Sequence, residues 1–243
     1  MQFPPLKKAT LIKRYKRFLA DVTCEDGTQM TVHCPNTGTM TGCDTPGAPV
    51  WLSTSDSKTR KYKHTWELIE GDQGMICIHS ALANRLVKEA LEAQRIDTLR
   101  GYDSLQAEVK LDDKTRLDFV LEYPHERVYV EVKCVTLCDA DGALVGQGLF
   151  PDAVSDRGRK HLGALAELAQ QPDTRAVLLF CVQHSGVQRV STAGAIDPRY
   201  REAMQAALDA GVEVIAWGTT MTPQEIAVTH PLPFSLDPPA GNG

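Results

Sequence analysis

Residues 116–133, RLDFVLEYPHERVYVEVK, predict two neighbouring β-strands joined by a tight turn. Apolar and polar residues alternate in both halves, and Pro124 between them cannot donate to a strand ladder. In the first strand the alternation puts Leu117, Phe119 and Leu121 on one face. Side chains two apart on a strand point the same way, so Glu131 and Lys133 share a face, and antiparallel pairing brings Asp118 close to both. We therefore expect two acids and one lysine to meet on one side of an apolar sheet.

This group of side chains suits metal-dependent chemistry on phosphodiesters. Two carboxylates can hold Mg²⁺ or Mn²⁺ with several waters left on the ion, and the metal lowers the pKa of a bound water. A lysine beside the ion can orient the nucleophile or stabilise developing negative charge. The spacing of an acid, a short loop and Glu-x-Lys is similar to the PD-(D/E)xK nuclease core, with Leu117 in place of the proline. The alternative is an ion pair on the solvated face of a hairpin.

Composition indicates a globular protein of one large domain or two modest ones. The chain has 243 residues, and we find no apolar stretch long enough for a membrane span or a signal peptide. Seven cysteines form no Cys-x-x-Cys pair, which argues against a disulfide framework and for a reducing, cytoplasmic environment.

The first part of the chain predicts a basic OB-like β-barrel, which we assign to residues 1–80. Residues 1–64 carry ten Lys and Arg against five Asp and Glu, although the whole chain has a net charge of −5. A long strand over Ala9–Thr23 and four shorter ones are expected, with a stacking platform for nucleic acid formed by Tyr15, Phe18, Tyr62 and Trp66. The predicted phosphate contacts are Lys13, Arg14, Lys16, Arg17, Lys58, Arg60, Lys61 and Lys63.

Residues 81–243 predict an α/β domain with a mixed sheet, in the order α-β-β-β-α-β-α-β. The first six of these elements match the order of the restriction-endonuclease-like core, and we expect a loop-like tail from about residue 219. Glu89 and Glu108 are candidate accessory acids. Arg157, Lys160 and His161 fall on one helical face and form a second predicted phosphate-contact surface.

Several segments together resemble the sugar fermentation stimulation protein A (SfsA) family. They are LIKRYKRFLADV (11–22), HCPNTGTMTGC (33–43), YKHTWELI (62–69), ANRLVKEAL (83–91), RLDFVL (116–121), VEVKCVTL (130–137) and FPDAVSDRGRKHL (150–162). The resemblance implies an N-terminal OB-like domain, a nuclease-like domain, non-specific DNA binding and a regulatory part in maltose or other sugar use. It also carries the acid-acid-lysine triplet over to Asp118, Glu131 and Lys133.

Three functions remain open at this point. The first is non-specific DNA binding through the phosphate backbone, with the metal site as a passive feature. The second adds hydrolysis of DNA or RNA by Asp118, Glu131 and Lys133 with Mg²⁺ or Mn²⁺. The third is a sugar or metabolite sensor, for which we find no aromatic carbohydrate-binding pattern in the sequence.

Overall fold

The first part of the chain is a small β-barrel. The computed structural model describes residues 1–112, 115–139 and 145–239. Six strands form the barrel unit: β1 Lys7–Tyr15, β2 Leu19–Cys24, β3 Gln29–His33, β4 Pro49–Thr54, β5 His64–Gly71 and β6 Gly74–Cys77. The first five pair in the order β3-β2-β1-β4-β5, and contact between His33 and Thr65 closes the ring. The predicted OB-like barrel is confirmed, with β6 added outside the closed ring.

The strand predicted over Ala9–Thr23 is in fact a β-hairpin. β1 and β2 pair antiparallel up to Tyr15 and Leu19, and Lys16 and Arg17 turn the chain with φ of 50° and 64°. Two consecutive residues with positive φ are typical of a type I′ turn, which asparagine and glycine favour. The turn contains no glycine, asparagine or proline, so the sequence gives no sign that the strand ends at Tyr15.

The second part is a mixed sheet with helices on both faces. Its main elements are α1 Leu82–Glu92, β7 Ser104–Lys110, β8 Arg116–Glu122, β9 Arg127–Val135, α2 Asp156–Ala169, β12 Thr174–Val182, α3 Pro198–Asp209, β14 Glu213–Met221 and β15 Ile226–Leu232. The sheet order is β15-β14-β12-β9-β8-β7, with β12 parallel to both β9 and β14. The predicted mixed-sheet α/β class is therefore confirmed.

A second, four-stranded sheet lies beside the main one. It consists of β10 Leu137–Cys138, β11 Gln147–Phe150, β13 Arg189–Thr192 and β16 Phe234–Ser235. The predicted loop-like tail thus contains β15 and β16 as well as the end of β14. Pro231 lies in β15, the edge strand, where a residue without an N–H group is tolerated. Proline is uncommon inside strands, so the proline-rich composition of this segment predicted a loop instead.

Two apolar cores cover the faces of the main sheet. One contains α1 side chains together with Phe119, Leu121 and Val130, and it extends into the barrel through Trp51 and Leu68. The other contains α2 and α3 side chains together with Leu117 and Phe180. The prediction that Leu117 and Phe119 share a face was wrong. The β8–β9 ladder ends at the Phe119–Val130 pair, and beyond it β8 no longer follows the register of β9.

Backbone hydrogen bonds, in addition to the linker, join the barrel to the α/β unit. Cys77 N–H donates to Gln183 O (2.9 Å), and Ser185 N–H donates to Met75 O (2.9 Å), so residues 183–185 run beside β6. The first residues of the chain also contact the second unit, since Phe3 N–H donates to Gln224 O (2.8 Å). None of the described helices is long and apolar enough to cross a membrane.

Candidate functional site

Asp118 lies where β8 separates from β9. Its Oδ2 accepts a hydrogen bond from the Val132 N–H (2.7 Å), which has lost its ladder partner on β8. Its Oδ1 accepts one from Asn84 Nδ2 (2.5 Å) on the first turn of α1. The carboxylate is therefore fixed between the central strand and the helix on one face of the sheet.

Glu131 and Lys133 extend from β9 toward α2. Lys133 Nζ donates to Glu131 Oε1 (2.5 Å), and His161 of α2 makes a short hydrogen bond to the same oxygen. Lys133 Nζ also lies 3.4 Å from His161 Nδ1. Glu131 and His161 are buried, and the Lys133 side chain is only 13% exposed. Together, Asp118, Glu131, Lys133 and His161 form what we call the acid–lysine site.

The two acids differ in how well their charge is compensated. Burial, reinforced by the charge of Glu131, raises the pKa of Asp118 to about 6. Burial also raises the pKa of Glu131, but the hydrogen bond from His161 and the charge of Lys133 outweigh it and hold that pKa below its ordinary value. The site thus keeps one well-paired carboxylate and one that lacks a compensating cation.

The second oxygen of Glu131 has no hydrogen-bond partner. Oε2 is buried, and so is the unpartnered hydroxyl of Tyr200 on α3, whose pKa is raised by burial and then by the Glu131 charge. A buried carboxylate oxygen without a partner, and a second acid whose pKa is raised by the charge of the first, are oxygen donors of the kind that a divalent cation takes. Within the described residues no group of three or more His, Cys, Asp or Glu could hold a metal, so two carboxylates would have to suffice.

Neither predicted accessory acid is hydrogen bonded to this site. Glu89 pairs with the N-terminal amine of Met1 (2.8 Å) and with Arg85. Glu108 has a φ of 59° on the edge strand β7, is exposed, and pairs with Arg116 (2.8 Å). The α1 side chain that reaches Asp118 is Asn84, five residues before Glu89.

A groove on the α/β unit reaches His161 of the acid–lysine site. Its volume is about 840 Å³, and its lining combines exposed Arg116, Arg157 and Lys160 and buried His161 with the acids Asp112, Asp156 and Glu167. The predicted grouping of Arg157, Lys160 and His161 therefore holds for the groove lining. His161 differs from the other two, because its ring is buried against Glu131 and is not available to a surface phosphate.

Comparison with known proteins assigns the chain to a family. The model for the SfsA N-terminal OB domain matches residues 12–78, and the model for the sugar fermentation stimulation protein RE domain matches residues 81–225. This chain belongs to the SfsA family. The solved structure of Pyrococcus furiosus SfsA in complex with Ca²⁺ matches with a TM-score of 0.84 and 24% sequence identity. The match covers 97% of this chain and 98% of that one, and at this identity it establishes the fold alone.

The OB barrel of this SfsA-family chain presents two exposed loops with positive charge. The β1–β2 turn contains Lys16, Arg17 and Phe18, and Phe18 is 48% exposed. The β4–β5 loop contains exposed Lys58, Arg60, Lys61 and Lys63, with Lys61 over the Tyr62 ring. Lys13, exposed on β1, lies over the Tyr15 ring. Five-stranded OB barrels bind oligonucleotides with these two loops and the strand surface between them.

Two residues that were predicted to contact nucleic acid, Arg14 and Trp66, have side chains that are occupied or buried within the protein. The Arg14 guanidinium donates to the carbonyls of Arg17, Asn36, Gly38 and Thr39, so it is occupied within the protein. Trp66 is fully buried and donates to Leu68 O (3.0 Å), so it belongs to the barrel core rather than to a stacking platform. The carbonyls that occupy Arg14 include those of residues 36, 38 and 39, more than twenty positions along the chain, and no local pattern contains these contacts.

Two features of the acid–lysine site were missed from the sequence. Asn84 is a polar residue off the apolar stripe of α1, and it was passed over in favour of the charged Glu89. His161 was grouped with cationic neighbours by helical spacing, although it directly precedes the buried Leu162. In both cases the deciding contact is made with a strand more than twenty residues away.

Proposed function

We propose that this protein binds nucleic acid through the phosphate backbone, with little preference for sequence. The observation that carries the proposal is the exposed positive charge on both the β1–β2 turn and the β4–β5 loop, together with the exposed ring of Phe18 on the first of them. Lysine and arginine contact phosphates, and Phe18 offers a face on which a base can stack. Backbone contacts carry no sequence information by themselves.

A regulatory effect on sugar use, the property that names the family, would follow from such binding rather than from recognition of an operator. Among the described helices, none is followed by a second helix in the arrangement of a helix-turn-helix reader. A cytoplasmic location belongs to the same proposal, and the seven free cysteines are consistent with a reducing compartment.

A salt titration tests the binding proposal. Fluorescence anisotropy would measure the dissociation constants of two unrelated single strands and of the matching duplexes, from about 50 to 300 mM salt. We expect similar affinities for unrelated sequences and a slope of log affinity against log salt of about −0.7 for each phosphate contacted on a single strand. A strong preference for one sequence, or affinity that does not change with salt, would contradict backbone binding.

A second function, divalent-metal-dependent cleavage of nucleic acid, is favoured by the acid–lysine site. The supporting observations are the unpartnered Oε2 of Glu131, the raised pKa of Asp118, and the groove that reaches His161. The Pyrococcus furiosus protein was solved in complex with Ca²⁺, which agrees with a divalent cation in the family. On this proposal, Asp118 and Glu131 hold Mg²⁺ or Mn²⁺.

Each residue around the ion would have a separate role. A divalent cation on two carboxylates lowers the pKa of a bound water and neutralises charge on a phosphodiester. Lys133, held by Glu131, presents an ammonium group where negative charge develops. Asn84 and the Val132 N–H keep the Asp118 carboxylate in one orientation. Arg157 and Lys160, exposed in the groove, would contact individual phosphates of the strand.

An activity assay with a matched pair of variants tests this second function. Purified protein would be incubated with single-stranded DNA, duplex DNA and RNA in Mg²⁺ or Mn²⁺. We expect Asp118→Ala to reduce cleavage by at least about a hundredfold while leaving backbone binding intact. Glu108→Gln, which removes a predicted accessory acid that pairs with Arg116 on the exposed edge strand, should cleave like the wild type. Equal activity in both variants would exclude the acid–lysine site.

A further inference from the structure

A second cavity, of about 250 Å³, lies between the barrel and the α/β unit. The barrel contributes the loop of residues 36–38, and the other unit contributes polar side chains from Ser80, Thr136 and Asp152. Its apolar lining consists of Leu137, Leu149 and Phe150. Cys134 also lines the cavity, and it lies three residues beyond Glu131 on β9, a separation of about 10 Å along the strand.

The barrel loop is held rigidly in position. Arg14 donates to the carbonyls of Asn36 (3.1 Å), Gly38 (2.7 Å) and Thr39 (3.3 Å), and Asn36 Oδ1 accepts the Gly38 N–H (2.8 Å). Gly38 lies so close to Asp152 that an added Cβ would stand 2.8 Å from its Oδ2. A glycine is therefore required for the loop to approach the carboxylate, and the wall of the cavity is preorganised.

The charge of the cavity selects against an anion. None of the described residues that line it is a lysine or arginine, and Asp152 contributes a carboxylate. In the described part of the chain, the Asp152 carboxylate makes no hydrogen bond or ion pair, and neither does Asn36 Nδ2. The cavity thus offers an unused acceptor and an unused donor, and a ligand group with N–H donors would bind Asp152 where a phosphate would be repelled.

The distribution of polar and apolar groups points to an aromatic heterocycle. Leu137 pairs with Leu149 in the small sheet and Phe150 follows Leu149, while Asn36 comes from the barrel loop and Ser80 from the turn before α1. A ligand with an apolar face and a polar edge matches this lining. A sugar has hydroxyl groups on all sides and would leave several of them against Leu137, Leu149 and Phe150. The volume is below the roughly 300–1,000 Å³ usual for drug-sized ligands, as suits a single ring system.

We propose that this cavity binds one nucleobase, with guanine as the best match. Guanine presents two adjacent N–H donors on one edge, which a carboxylate can accept together, and an acceptor oxygen that can receive the Asn36 amide. The phosphate of the same nucleotide stays outside the cavity, because the Asp152 carboxylate would repel it. The inference deepens the proposed nucleic-acid binding where the base belongs to a strand, but a free nucleotide would occupy the cavity by the same contacts.

The first test uses free nucleotides and does not depend on strand binding. Isothermal titration calorimetry would compare guanosine 5′-monophosphate with thymidine 5′-monophosphate on the full chain. We expect the guanine nucleotide to bind at least about fivefold more tightly, and Asp152→Asn to remove that difference. Asp72→Asn, which removes the same charge from the exposed β5–β6 turn, is the matched control and should keep it. Gly38→Ala, which pushes a methyl group toward Asp152, should weaken guanine binding as a second, independent variant.

The second test identifies the source of the base. Anisotropy would compare an all-thymidine single strand with the same strand carrying one central guanosine, on the wild type and on Asp152→Asn. A preference of at least about fivefold for the guanosine strand, lost in Asp152→Asn, assigns the cavity to a strand. Guanine-nucleotide binding without this preference assigns it to a free nucleotide.

The outcomes separate this inference from the proposed function. If no strand binds but the guanine nucleotide binds through Asp152, nucleic-acid binding fails and the base pocket stands. If strands bind with the expected salt slope but neither test detects a guanine preference, the pocket is overturned and nucleic-acid binding stands. A guanine preference that survives both Asp152→Asn and Gly38→Ala also overturns the pocket, because the base then binds elsewhere.

Discussion

At the scale of single residues, the acid–lysine site lowers the stability of the folded protein. Asp118 is largely buried, and the negative charge of Glu131 acts on it. The pKa of Asp118 is therefore raised, which means that its charged form is unfavourable in the folded protein. Val132 and Asn84 orient the group but do not neutralise it. Buried acids with strongly raised pKa values are concentrated at functional sites.

Replacing Asp118 should therefore separate stability from metal binding. Asp118→Asn keeps the size of the side chain and an acceptor for the Val132 N–H, and it removes the uncompensated charge. Its new N–H₂ group faces Asn84, whose amide can rotate by 180° to accept a hydrogen bond from it. We expect the free energy of unfolding at pH 7, without metal, to rise by about 1 kcal/mol. Urea unfolding in EDTA measures this change, and adding Mn²⁺ should raise the Tm of the wild type alone. A variant that loses stability in EDTA and still responds to Mn²⁺ would contradict the assignment of Asp118.

A second residue, His184, should make the stability depend on pH. Burial lowers its pKa to about 4 from an ordinary value of 6.5, while its Nδ1 accepts the Gly186 N–H (3.0 Å). Between these two values the unfolded chain binds more protons than the native protein. The stabilisation is therefore complete above about pH 6.5 and is lost as the pH falls toward 4, by about 3 kcal/mol in total.

The variant His184→Asn tests this dependence, because the asparagine oxygen can still accept the Gly186 N–H. Urea unfolding at intervals from about pH 7 to pH 4.5 should show a shallower loss of stability in His184→Asn than in the wild type. His125→Asn, at an exposed position in the β8–β9 turn, is the matched control. Parallel curves for the wild type and His184→Asn would show that another group titrates.

At the scale of elements, alternation predicted most strands and failed where a turn or an edge lacked its usual residues. The hairpin of β8 and β9 was predicted because Pro124 marks its turn. The hairpin of β1 and β2 was not, because Lys16 and Arg17 adopt positive φ without glycine or asparagine. Contacts such as Asn84 with Asp118 depend on how α1 packs on the sheet, which no local pattern contains.

The unusual β1–β2 turn provides a clean test of the binding surface. Lys16→Asn with Arg17→Gly removes two charges and supplies the residues that type I′ turns favour, so the barrel should be as stable or more stable. We expect weaker binding to all single strands alike and a salt slope smaller by about 1 to 1.5, as for the loss of two phosphate contacts. Anisotropy across a salt series measures both, and the two unrelated strands serve as mutual controls. An unchanged slope would place the phosphate contacts elsewhere.

At the scale of the whole molecule, the barrel and the α/β unit share an apolar core. Trp51 and Leu68 of the barrel belong to the same cluster as Val132 and Trp217 of the main sheet. Residues 183–185 add hydrogen bonds to β6 across the interface. The cavity proposed for a base is lined from both units and is defined by this fixed arrangement, whereas the groove to the acid–lysine site is lined by the α/β unit alone.

Gly186 is the position where this arrangement can be tested most sharply. A Cβ at residue 186 would overlap the Gln73 carbonyl oxygen on the β5–β6 turn, a backbone atom that cannot move without displacing β6. We expect Gly186→Ala to lower the free energy of unfolding by about 2 kcal/mol, the usual scale of overpacking. Gly163→Ala is the matched control, since its Cβ meets nothing within 4 Å inside α2 and should gain about 0.5–1 kcal/mol from helix propensity. Urea unfolding followed by the fluorescence of Trp51, Trp66 and Trp217, which lie in both units, should give one transition in the wild type. Two separate transitions in the wild type, or a Gly186→Ala protein as stable as the parent, would mean that the units are not rigidly joined and that the base cavity does not persist in solution.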